Sequence, residues 1–419
     1  MLYTDLRNKL IEQVDQKEDL LIDLCSKLVR IPSESPISDT RQIAQMAVGF
    51  LEMIDGAEVT IHTLEEPIVN VVAKIKGNGP GKRLIFNGHL DTYPVGDQSA
   101  WTVDPFSALV KDGRLYGRGS SDMKGGIASY MLAFMLLAEC RNDWSGEVVL
   151  TLAGDEETMG VKGTKYLLDT VPEATGDAMI CGDVGSPTVL RFGEKGLLWL
   201  ELNAAGKPGH GAHVHKGVNA IDRLIEGMTK INETLRKLPV NNVEKVTKAI
   251  LEASEVSEEI SGKGETEVLQ TVTVNFGMIE GGISANLIPD KASAKADIRL
   301  PVGTTIAQIE QKIKEIVDPI EGLSYNIVRQ YEPNWSDVDH EIFTLTAQNV
   351  HQIIGESPVI TMRVGASDAR LYRIHKKVPT VVCGLTPYNL GGPDEYIELS
   401  ELVDVAKIHT LTAFDYLSK

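Results

Sequence analysis

The sequence predicts an α/β protein that carries a smaller α+β domain as an insertion. Up to about residue 191, apolar runs alternate with helix-periodic stretches, which is typical of a parallel or mixed sheet covered by helices. A different order follows, in which strand, helix, strand, strand, helix and strand succeed one another as in a ferredoxin-like unit. After about residue 331 the α/β pattern returns.

The larger part begins with two predicted helices. Residues 5–30 place leucine and valine at helical spacing, and this helix should end before Pro32, because a residue before proline disfavours the helical conformation. A second helix is predicted over 40–54. Continuous apolar runs then predict buried strands, with a long helix of small residues between two of them: strands 68–76, 84–90, 147–153 and 177–182, and helix 125–140.

The inserted part begins near Arg191. Alternation and helical spacing predict its elements in order: strand 197–204, helix 217–238, strands 271–278 and 292–300, helix 306–317 and strand 324–328. Residues 241–268 are polar and charged and predict an added helical excursion, and 378–382 predicts a strand of the returning sheet. We therefore expect a larger domain formed by 1–191 and 331–419, with an inserted domain at 192–330.

Composition limits the class of protein. The 419 residues are 42% hydrophobic and 24% charged, as in an ordinary globular protein, and no apolar run approaches the roughly 20 residues that span a bilayer. The formal net charge of −18 argues against nucleic acid or an anionic membrane as a partner. The N-terminus lacks the apolar core of a signal peptide, so we expect a cytoplasmic protein. The scattered cysteines predict free thiols.

The end of the strand at 84–90 carries the first chemical signal. His89 and Asp91 are two residues apart, so their side chains face the same way in an extended chain. Open α/β sheets place their sites at the carboxyl ends of strands, and a carboxylate often fixes the orientation of a metal-ligating imidazole. By itself, however, a His-X-Asp sequence is more often a hydrogen-bonded loop pair.

Further acidic residues follow predicted strands or turns. Asp122 lies in a glycine-rich turn, where a carboxylate can bridge two cations. Glu156 and Glu157 follow the strand at 147–153, where one could bind metal and the other reach a water molecule; the alternative is a solvated acidic loop. Asp183 ends the next strand. One histidine with these carboxylates suits Zn²⁺, Mn²⁺ or Co²⁺, and two such ions about 3.5–4 Å apart can activate water.

Six motifs occur in a fixed order along the chain: Gly88–Asp91, Gly117–Gly126, Asp155–Glu157, Gly206–Ile221, Gly281–Asp290 and Asp297–Arg299. Together they resemble the co-catalytic zinc amidohydrolases and peptidases, which include acetylornithine deacetylase, succinyl-diaminopimelate desuccinylase, aminoacylase and glutamate carboxypeptidase. The resemblance covers nearly the whole length. It implies a zinc-exopeptidase-like mixed sheet covered by helices, with the inserted domain as a lid and dimerisation domain.

The resemblance also implies a ligand set for metal. His89 and Asp183 would bind one ion. Asp122 would bridge this ion to a second one, which Glu157 would also bind. Both ions would lie at the carboxyl ends of the predicted strands.

Other roles follow from the same resemblance. Asp91 would orient the metal-ligating histidine, and Glu156 would be the general base that takes a proton from water and delivers it to the leaving amine. His210, on the inserted domain, would reach a neighbouring subunit's site and stabilise the oxyanion, although two histidines just downstream leave that assignment open. Asn286 and Arg299 would contact the substrate.

Arg370 predicts the substrate class. It ends the segment Gly365–Arg370, which is similar to one that supplies a carboxylate-binding arginine in aminoacylase-like members. A guanidinium binds a carboxylate through two parallel hydrogen bonds, as a substrate with a free α-carboxylate would require. The alternative is a surface arginine paired with Asp368.

One position departs from the family pattern. Relatives carry a last metal-ligand histidine four residues before the glutamate of a Pro-Asp-Glu-Tyr-like segment, and here that position is Gly391. The second ion would keep only Asp122 and Glu157, where a catalytic zinc normally has three protein ligands. Three outcomes are open: a weakly held second ion, a single ion on His89, Asp122 and Asp183, or loss of hydrolysis. Side chains that could replace the histidine are Tyr388, Asn389 and Asp394.

We therefore predict a cytoplasmic, metal-dependent hydrolase that cleaves the amide bond of an N-acyl amino acid or small peptide with a free carboxylate. We expect one or two Zn²⁺ per chain, with Mn²⁺ or Co²⁺ as alternatives, and a homodimer formed through the inserted domain. No nucleic acid or membrane partner is expected. A dipeptidase or carboxypeptidase is the alternative within the family. A non-catalytic ligand-binding homologue is the alternative of another class.

Overall fold

The computed structural model describes residues 3–418, which form two compact units. The first unit comprises the chain up to Phe192 together with Ser336–Ile360 and the residues from Ser367 onwards. The second unit comprises Gly193–Trp335 and Thr361–Ala366. The roles expected for these parts, a catalytic domain and a lid and dimerisation domain, stay predictions.

The helices follow one another in chain order as α1 (Tyr3–Gln16), α2 (Glu18–Val29), α3 (Arg41–Leu51), α4 (Gly125–Glu139), α5 (Thr164–Thr170), α6 (Ala220–Arg236), α7 (Glu244–Glu252), α8 (Ser254–Ser261), α9 (Glu265–Gln270), α10 (Ile306–Val317), α11 (Glu341–Ile354), α12 (Ala369–Leu371) and α13 (Leu399–Leu417). The strands are β1 (Glu58–His62), β2 (Asn70–Lys76), β3 (Arg83–His89), β4 (Leu109–Lys111), β5 (Arg114–Tyr116), β6 (Glu147–Ala153), β7 (Ala178–Cys181), β8 (Val189–Glu194), β9 (Gly196–Ala205), β10 (Gly209–His210), β11 (Thr273–Gly281), β12 (Leu287–Ile288), β13 (Lys291–Leu300), β14 (Leu323–Tyr331), β15 (Asn334–Trp335), β16 (Val359–Arg363), β17 (Thr380–Val382) and β18 (Tyr396–Glu398).

The first unit is built on a mixed sheet in the order β1-β2-β6-β3-β7-β17-β8. Strand β3 pairs in parallel with β6 on one side and β7 on the other, whereas β2 pairs antiparallel with β6. Strands β3, β6 and β7 are buried almost throughout, which explains their continuous apolar sequences. Helix α4 contacts β3 and is apolar on every side, because α2 and α13 also pack against it. The predicted fold class is confirmed.

The second unit contains an antiparallel sheet in the order β11-β13-β9-β14. Helices α6 and α10 pack on this sheet, and alternate residues of β13 are buried beneath them. The sequence order and the sheet order are those of a ferredoxin-like unit, as the sequence predicts. The polar excursion is helical and consists of α7, α8 and α9.

One local expectation was wrong. The single helix predicted over 5–30 is divided into α1 and α2 at Lys17, whose φ of −110° and ψ of 19° are not helical. No proline or glycine marks this break, so the sequence carried no signal for it.

We predict that Gly126→Ala destabilises the first unit. A Cβ at Gly126, in the first turn of α4, would lie 2.3 Å from the carbonyl oxygen of Gly182, the residue before Asp183. Because backbone obstructs the added methyl, we expect the free energy of unfolding to fall by about 1–3 kcal/mol in urea denaturation.

The matched control for this substitution is Gly49→Ala. Gly49 lies on the exposed side of α3, and a Cβ there meets no atom within 4 Å. Alanine favours a helix over glycine by about 1 kcal/mol, so this variant should be as stable as the parent or more stable. Equal effects of the two substitutions would contradict the steric argument.

His409 makes the stability of the first unit sensitive to acid. Its Nε2 donates to the carbonyl oxygen of Cys383 at 2.6 Å, and its Nδ1 accepts from the hydroxyl of Ser129 at 2.7 Å. The neutral ring is therefore fully bonded inside the core. Burial lowers the pKa of His409 from 6.5 to about 4, since no carboxylate stabilises the charged ring.

We predict that, between pH 7 and pH 4, the free energy of unfolding falls less steeply in His409→Gln than in the parent protein. The unfolded chain protonates this histidine near pH 6.5 and the folded protein only near pH 4, so its contribution is complete above pH 6.5 and declines as the pH falls to 4. The decline amounts to about 3 kcal/mol. Urea denaturation between pH 4 and pH 7 measures it, and identical slopes for parent and variant would refute the assignment.

Candidate metal centre

The parallel pairing of β3, β6 and β7 gathers the predicted ligands at one edge of the sheet. His89 is the last residue of β3 and lies in register with Ala153, the last residue of β6. Glu156 and Glu157 follow β6 in a short helical turn, and Asp183 follows β7. Because parallel strands end at a common edge, the three segments deliver their side chains to one place.

Asp122 reaches this place from a turn that Glu395 holds. The Glu395 carboxylate is buried and accepts hydrogen bonds from the backbone N–H groups of Gly119, Ser121 and Asp122 at 3.1, 2.9 and 3.3 Å. Arg118 donates to the same carboxylate at 2.5 Å and neutralises it. This anchoring fixes the approach of Asp122 to the sheet edge.

His89, Asp122 and Asp183 together form a group that can hold a metal ion. Each offers one ligand atom, and these atoms lie within 4.8 Å of one another. The Nε2 of His89 is 3.0 Å from Oδ1 of Asp122. One imidazole and two carboxylates are a ligand set for a borderline or hard divalent cation, and three protein ligands are the usual number in a catalytic zinc site.

Asp91 orients this group in two ways. The Nδ1 of His89 donates to the carbonyl oxygen of Asp91 at 2.9 Å, which leaves the lone pair of Nε2 available to a cation. The Asp91 carboxylate is 3.5 Å from the same Nδ1 and accepts the backbone N–H groups of Glu156 and Glu157, each at 3.1 Å. The buried aspartate therefore positions the loop after β6 as well as the histidine.

The site carries an excess of negative charge. Burial raises the pKa of Glu157, and the charges of Asp122 and Glu156 raise it further. Burial alone would lower the pKa of His89, but hydrogen bonds to Asp122 and Asp91 hold it well above its ordinary value. The Oε1 of Glu157 is buried and has no hydrogen-bond partner. A divalent cation fits this environment because it offsets the carboxylates and coordinates their oxygens.

Glu156 stands beside the ligands and is held by Arg370. The Nη1 of Arg370 donates to Oε1 of Glu156 at 3.0 Å and to the carbonyl oxygen of Ser367 at 2.5 Å. Burial raises the pKa of Glu156, and the charge of Arg370 opposes that rise. Arg370 is only 1% exposed, so the alternative of a surface arginine is wrong. Asp368 accepts from the hydroxyl of Thr164 at 2.6 Å, and the charge of Arg370 opposes the rise in its pKa that burial causes.

The three other predicted residues lie in the second unit. His210 is exposed on β10, which pairs with β12, and its Nδ1 accepts the backbone N–H of Ala212 at 3.1 Å. Asn286 accepts from the hydroxyl of Ser284 at 2.6 Å. Arg299 pairs with Asp297 through contacts of 2.8 and 3.0 Å. Their functional roles stay predictions.

Sequence reasoning missed two contributors to this site. Tyr93 follows Asp91 by two residues and is 48% exposed, and partial burial together with the charges of Glu157, Asp122 and Glu156 raises its pKa to about 12. Glu395 anchors the Asp122 turn, although in the sequence it is only the glutamate of the Pro-Asp-Glu-Tyr-like segment. The spacing of Tyr93 in an extended segment was a usable signal, because residues two apart share a face.

Comparison with known proteins agrees with this arrangement. Residues 85–415 match the pattern of Peptidase family M20/M25/M40. The chain belongs to this family. The family resemblance predicted from the motifs is confirmed, as is a metallohydrolase that acts on amide or peptide bonds.

Individual M20 relatives resemble the chain over nearly its whole length. It is 28% identical over 402 residues to the succinyl-diaminopimelate desuccinylase of Rhodospirillum centenum. The alignment covers 93% of this chain and 95% of the relative. Its fold is similar to the M20 family metallo-carboxypeptidase Sso-CP2 from Sulfolobus solfataricus, with a TM-score of 0.76, 20% identity and coverage of 95% and 99%. It is also similar to Bacillus subtilis YXEP, described as a dinuclear metal binding peptidase, with a TM-score of 0.65, 16% identity and coverage of 96% and 99%.

The helices of this M20 member do not have the features of membrane spans. Within residues 3–418, none combines the length and the apolar character needed to cross a bilayer.

We predict that Asp91→Asn weakens metal binding. The asparagine amide has one oxygen for the backbone N–H groups of Glu156 and Glu157, and its NH₂ group would face a donor. Loss of such a supporting contact typically costs 10- to 100-fold in metal affinity, so we expect a decrease of about that size in competition with a chelator.

Asp97→Asn is the matched control. Asp97 also accepts a backbone N–H, that of Ser99 at 2.9 Å, but lies on an exposed turn. Metal affinity should be unchanged in this variant. If Asp91→Asn binds metal as tightly as Asp97→Asn, Asp91 does not organise the site.

Proposed function

We propose that this M20 family member is a deacylase that hydrolyses the amide bond of an N-acyl amino acid with a free carboxylate. The observation that carries the proposal is the position of Glu156, a carboxylate only 11% exposed that lies close enough to the group formed by His89, Asp122 and Asp183 for the charges of His89 and Asp183 to shift its pKa. An amide hydrolase needs a Lewis acid and a base at one place, and this edge of the sheet offers residues for both.

The proposed metal ligands are His89, Asp122 and Asp183, with Glu157 as a further carboxylate. Zn²⁺ suits this set, and Mn²⁺ and Co²⁺ are accepted by the same donors. A divalent cation bound here would act as a Lewis acid and would lower the pKa of water.

Glu156 is the proposed general base. It would take a proton from the attacking water and later give it to the leaving amine, which is the pair of transfers that amide hydrolysis requires. The hydrogen bond from Arg370 to Oε1 keeps the carboxylate in one orientation. Asp91 supports the same residue through its backbone N–H.

Substrate recognition is proposed to involve four side chains. Arg370 would bind the substrate carboxylate, a role favoured by guanidinium chemistry and by the resemblance of its segment to aminoacylases. His210 would stabilise the oxyanion from a neighbouring subunit of a homodimer formed through the second unit. Asn286 and Arg299 would contact the substrate as residues of the lid. A cytoplasmic location completes the proposal.

A dipeptidase or carboxypeptidase remains the alternative within the family. The M20 structure from Sulfolobus solfataricus is described as a metallo-carboxypeptidase, whereas the Rhodospirillum centenum relative is described as a desuccinylase. Both chemistries use the same ligands and base, so only an assay of substrates can distinguish the two activities. A panel of N-acetyl and N-succinyl amino acids and dipeptides, assayed with Zn²⁺, Mn²⁺ and Co²⁺, separates the two activities.

We predict that Glu156→Gln strongly reduces turnover without releasing metal. Glutamine keeps the shape of the side chain but cannot accept a proton, so kcat on the best panel substrate should fall by about 10²- to 10⁴-fold. Metal content per chain should stay that of the parent. Glu52→Gln, at an exposed position, is the control and should leave both values unchanged.

Turnover by Glu156→Gln at the parental rate would contradict the assignment of the base. Absence of hydrolysis by the parent protein on every panel member, with each of the three metals in excess, would instead favour the non-catalytic homologue.

A further inference from the structure

We propose that each chain completes one metal site, on His89, Asp122 and Asp183, and that the adjoining pair Asp122 and Glu157 does not hold a second ion stably. The Bacillus subtilis relative is described as dinuclear. We therefore infer that this chain holds one ion fewer than that description implies. The inference concerns metal stoichiometry and does not depend on which amide is hydrolysed.

The first site has the features of a stable one. Its three donors converge within 4.8 Å, and His89 and Asp183 are almost completely buried. The Asp91 carbonyl fixes the histidine ring, and the backbone contacts of Glu395 fix the turn that carries Asp122. Donors held in this way lose little conformational freedom when an ion binds, which favours high affinity.

Within residues 3–418, the second pair of carboxylates lacks a third donor from a His, Cys, Asp or Glu side chain. Among residues 3–418, His89, Asp122 and Asp183 are the only group of three or more His, Cys, Asp or Glu side chains whose ligand atoms converge closely enough for a metal ion. Glu157 adds a buried oxygen without a hydrogen-bond partner, so a second ion would meet two carboxylates. Catalytic zinc sites usually have three protein ligands, and two are too few for a stable site.

Side chains near Gly391 are engaged elsewhere. The Asp394 carboxylate accepts the backbone N–H and the hydroxyl of Thr102, both at 2.8 Å. The Asn389 amide donates to the backbone carbonyl of Asp394 at 3.1 Å. The ring of Tyr388 stacks on Tyr396 with centroids 4.6 Å apart. The carboxylate of Asp394 is therefore not disposed to act as the missing ligand, and Asn389 and Tyr388 are each held by a contact with a neighbour of the same segment.

The backbone of the glycine pair is also engaged. The Nη2 of Arg118 donates to the carbonyl oxygens of Gly391 and Gly392 at 3.1 and 3.0 Å. These oxygens already satisfy a guanidinium, and the positive charge beside them disfavours a cation there. The carbonyl oxygens of Gly391 and Gly392 are thus poorly suited to complete the second site.

Position 391 allows a direct test, because a side chain fits there. A Cβ on Gly391 meets no atom within 4 Å. The residue has a φ of +69°, a left-handed conformation that histidine adopts more readily than most non-glycine residues. Gly391→His therefore restores a possible ligand, and Gly391→Ala imposes similar backbone strain without one.

The experiment counts metal ions per chain. Chelator-stripped protein is loaded with excess Zn²⁺ or Mn²⁺, passed through a desalting column and analysed for metal, with calorimetric titration as a second readout. We expect one ion per chain in the parent protein, in Gly391→Ala and in Glu157→Gln, and two in Gly391→His. Asp183→Asn should retain no ion through the column.

Two ions in the parent protein would overturn the inference. A count that stays at one in Gly391→His would contradict the assignment of the deficit to this position. Loss of the ion in Glu157→Gln would show that the single site includes Glu157 and is not the one assigned here. These outcomes are separate from the proposed function, because metal content is measured without a substrate and a failed substrate panel leaves the count unaffected.

Discussion

The parallel pairing of β3 with β6 and β7 is the constraint on which the metal centre depends. A slip of one residue in β3 would turn His89 to the opposite face of the sheet, because the side chains of a strand alternate. Burial of the three strands opposes such a slip, and the hydrogen bonds of a buried asparagine oppose it further. The amide of Asn87 donates to the hydroxyls of Thr151 and Thr164 at 3.1 and 3.2 Å. The register that buries the apolar residues is therefore also the register that presents the ligand.

Buried carboxylates in this unit differ in the hydrogen bonds that they receive. Asp91 and Glu395 each accept several backbone N–H groups, and Asp155 accepts that of Lys162 at 2.7 Å. These residues hold loops in place, because a carboxylate surrounded by donors stabilises one backbone conformation. Glu157 and Asp155 each keep one buried oxygen, Oε1 and Oδ1 respectively, without a hydrogen-bond partner.

Where a local pattern determines an element, the sequence predicts it well. Helix α10 begins and ends as predicted, since Thr305 and Gln308 form a capping box before its apolar stripe. The small sheet of β4, β5 and β18 escaped prediction because its strands have three residues each and no long apolar run. Strand β8 was not predicted, because charged residues such as Arg191 interrupt its apolar sequence although the strand is buried.

At the site, too, residues with a recognisable local sequence could be predicted, whereas contacts between residues far apart in the chain could not. His89, Asp122, Glu156 and Asp183 could be found because each follows a strand or a glycine-rich turn in the sequence. The ion pair of Arg118 with Glu395 joins residues 277 positions apart, so no sequence window contains it. The proposed metal stoichiometry likewise depends on such distant contacts, because only the structure reveals that the residues around position 391 are already bonded elsewhere.

Arg370 shows how the chemistry of a residue type can predict a partner without locating it. The sequence predicts that its guanidinium binds a carboxylate, and in the structure it donates to the carboxylate of Glu156. A buried guanidinium requires an anion, because an uncompensated charge in the interior is strongly destabilising. A substrate carboxylate that binds Arg370 must therefore approach an arginine already bonded to the proposed base. Recognition of the substrate and orientation of the base are then coupled through one side chain, so a change at Arg370 would alter KM and kcat together.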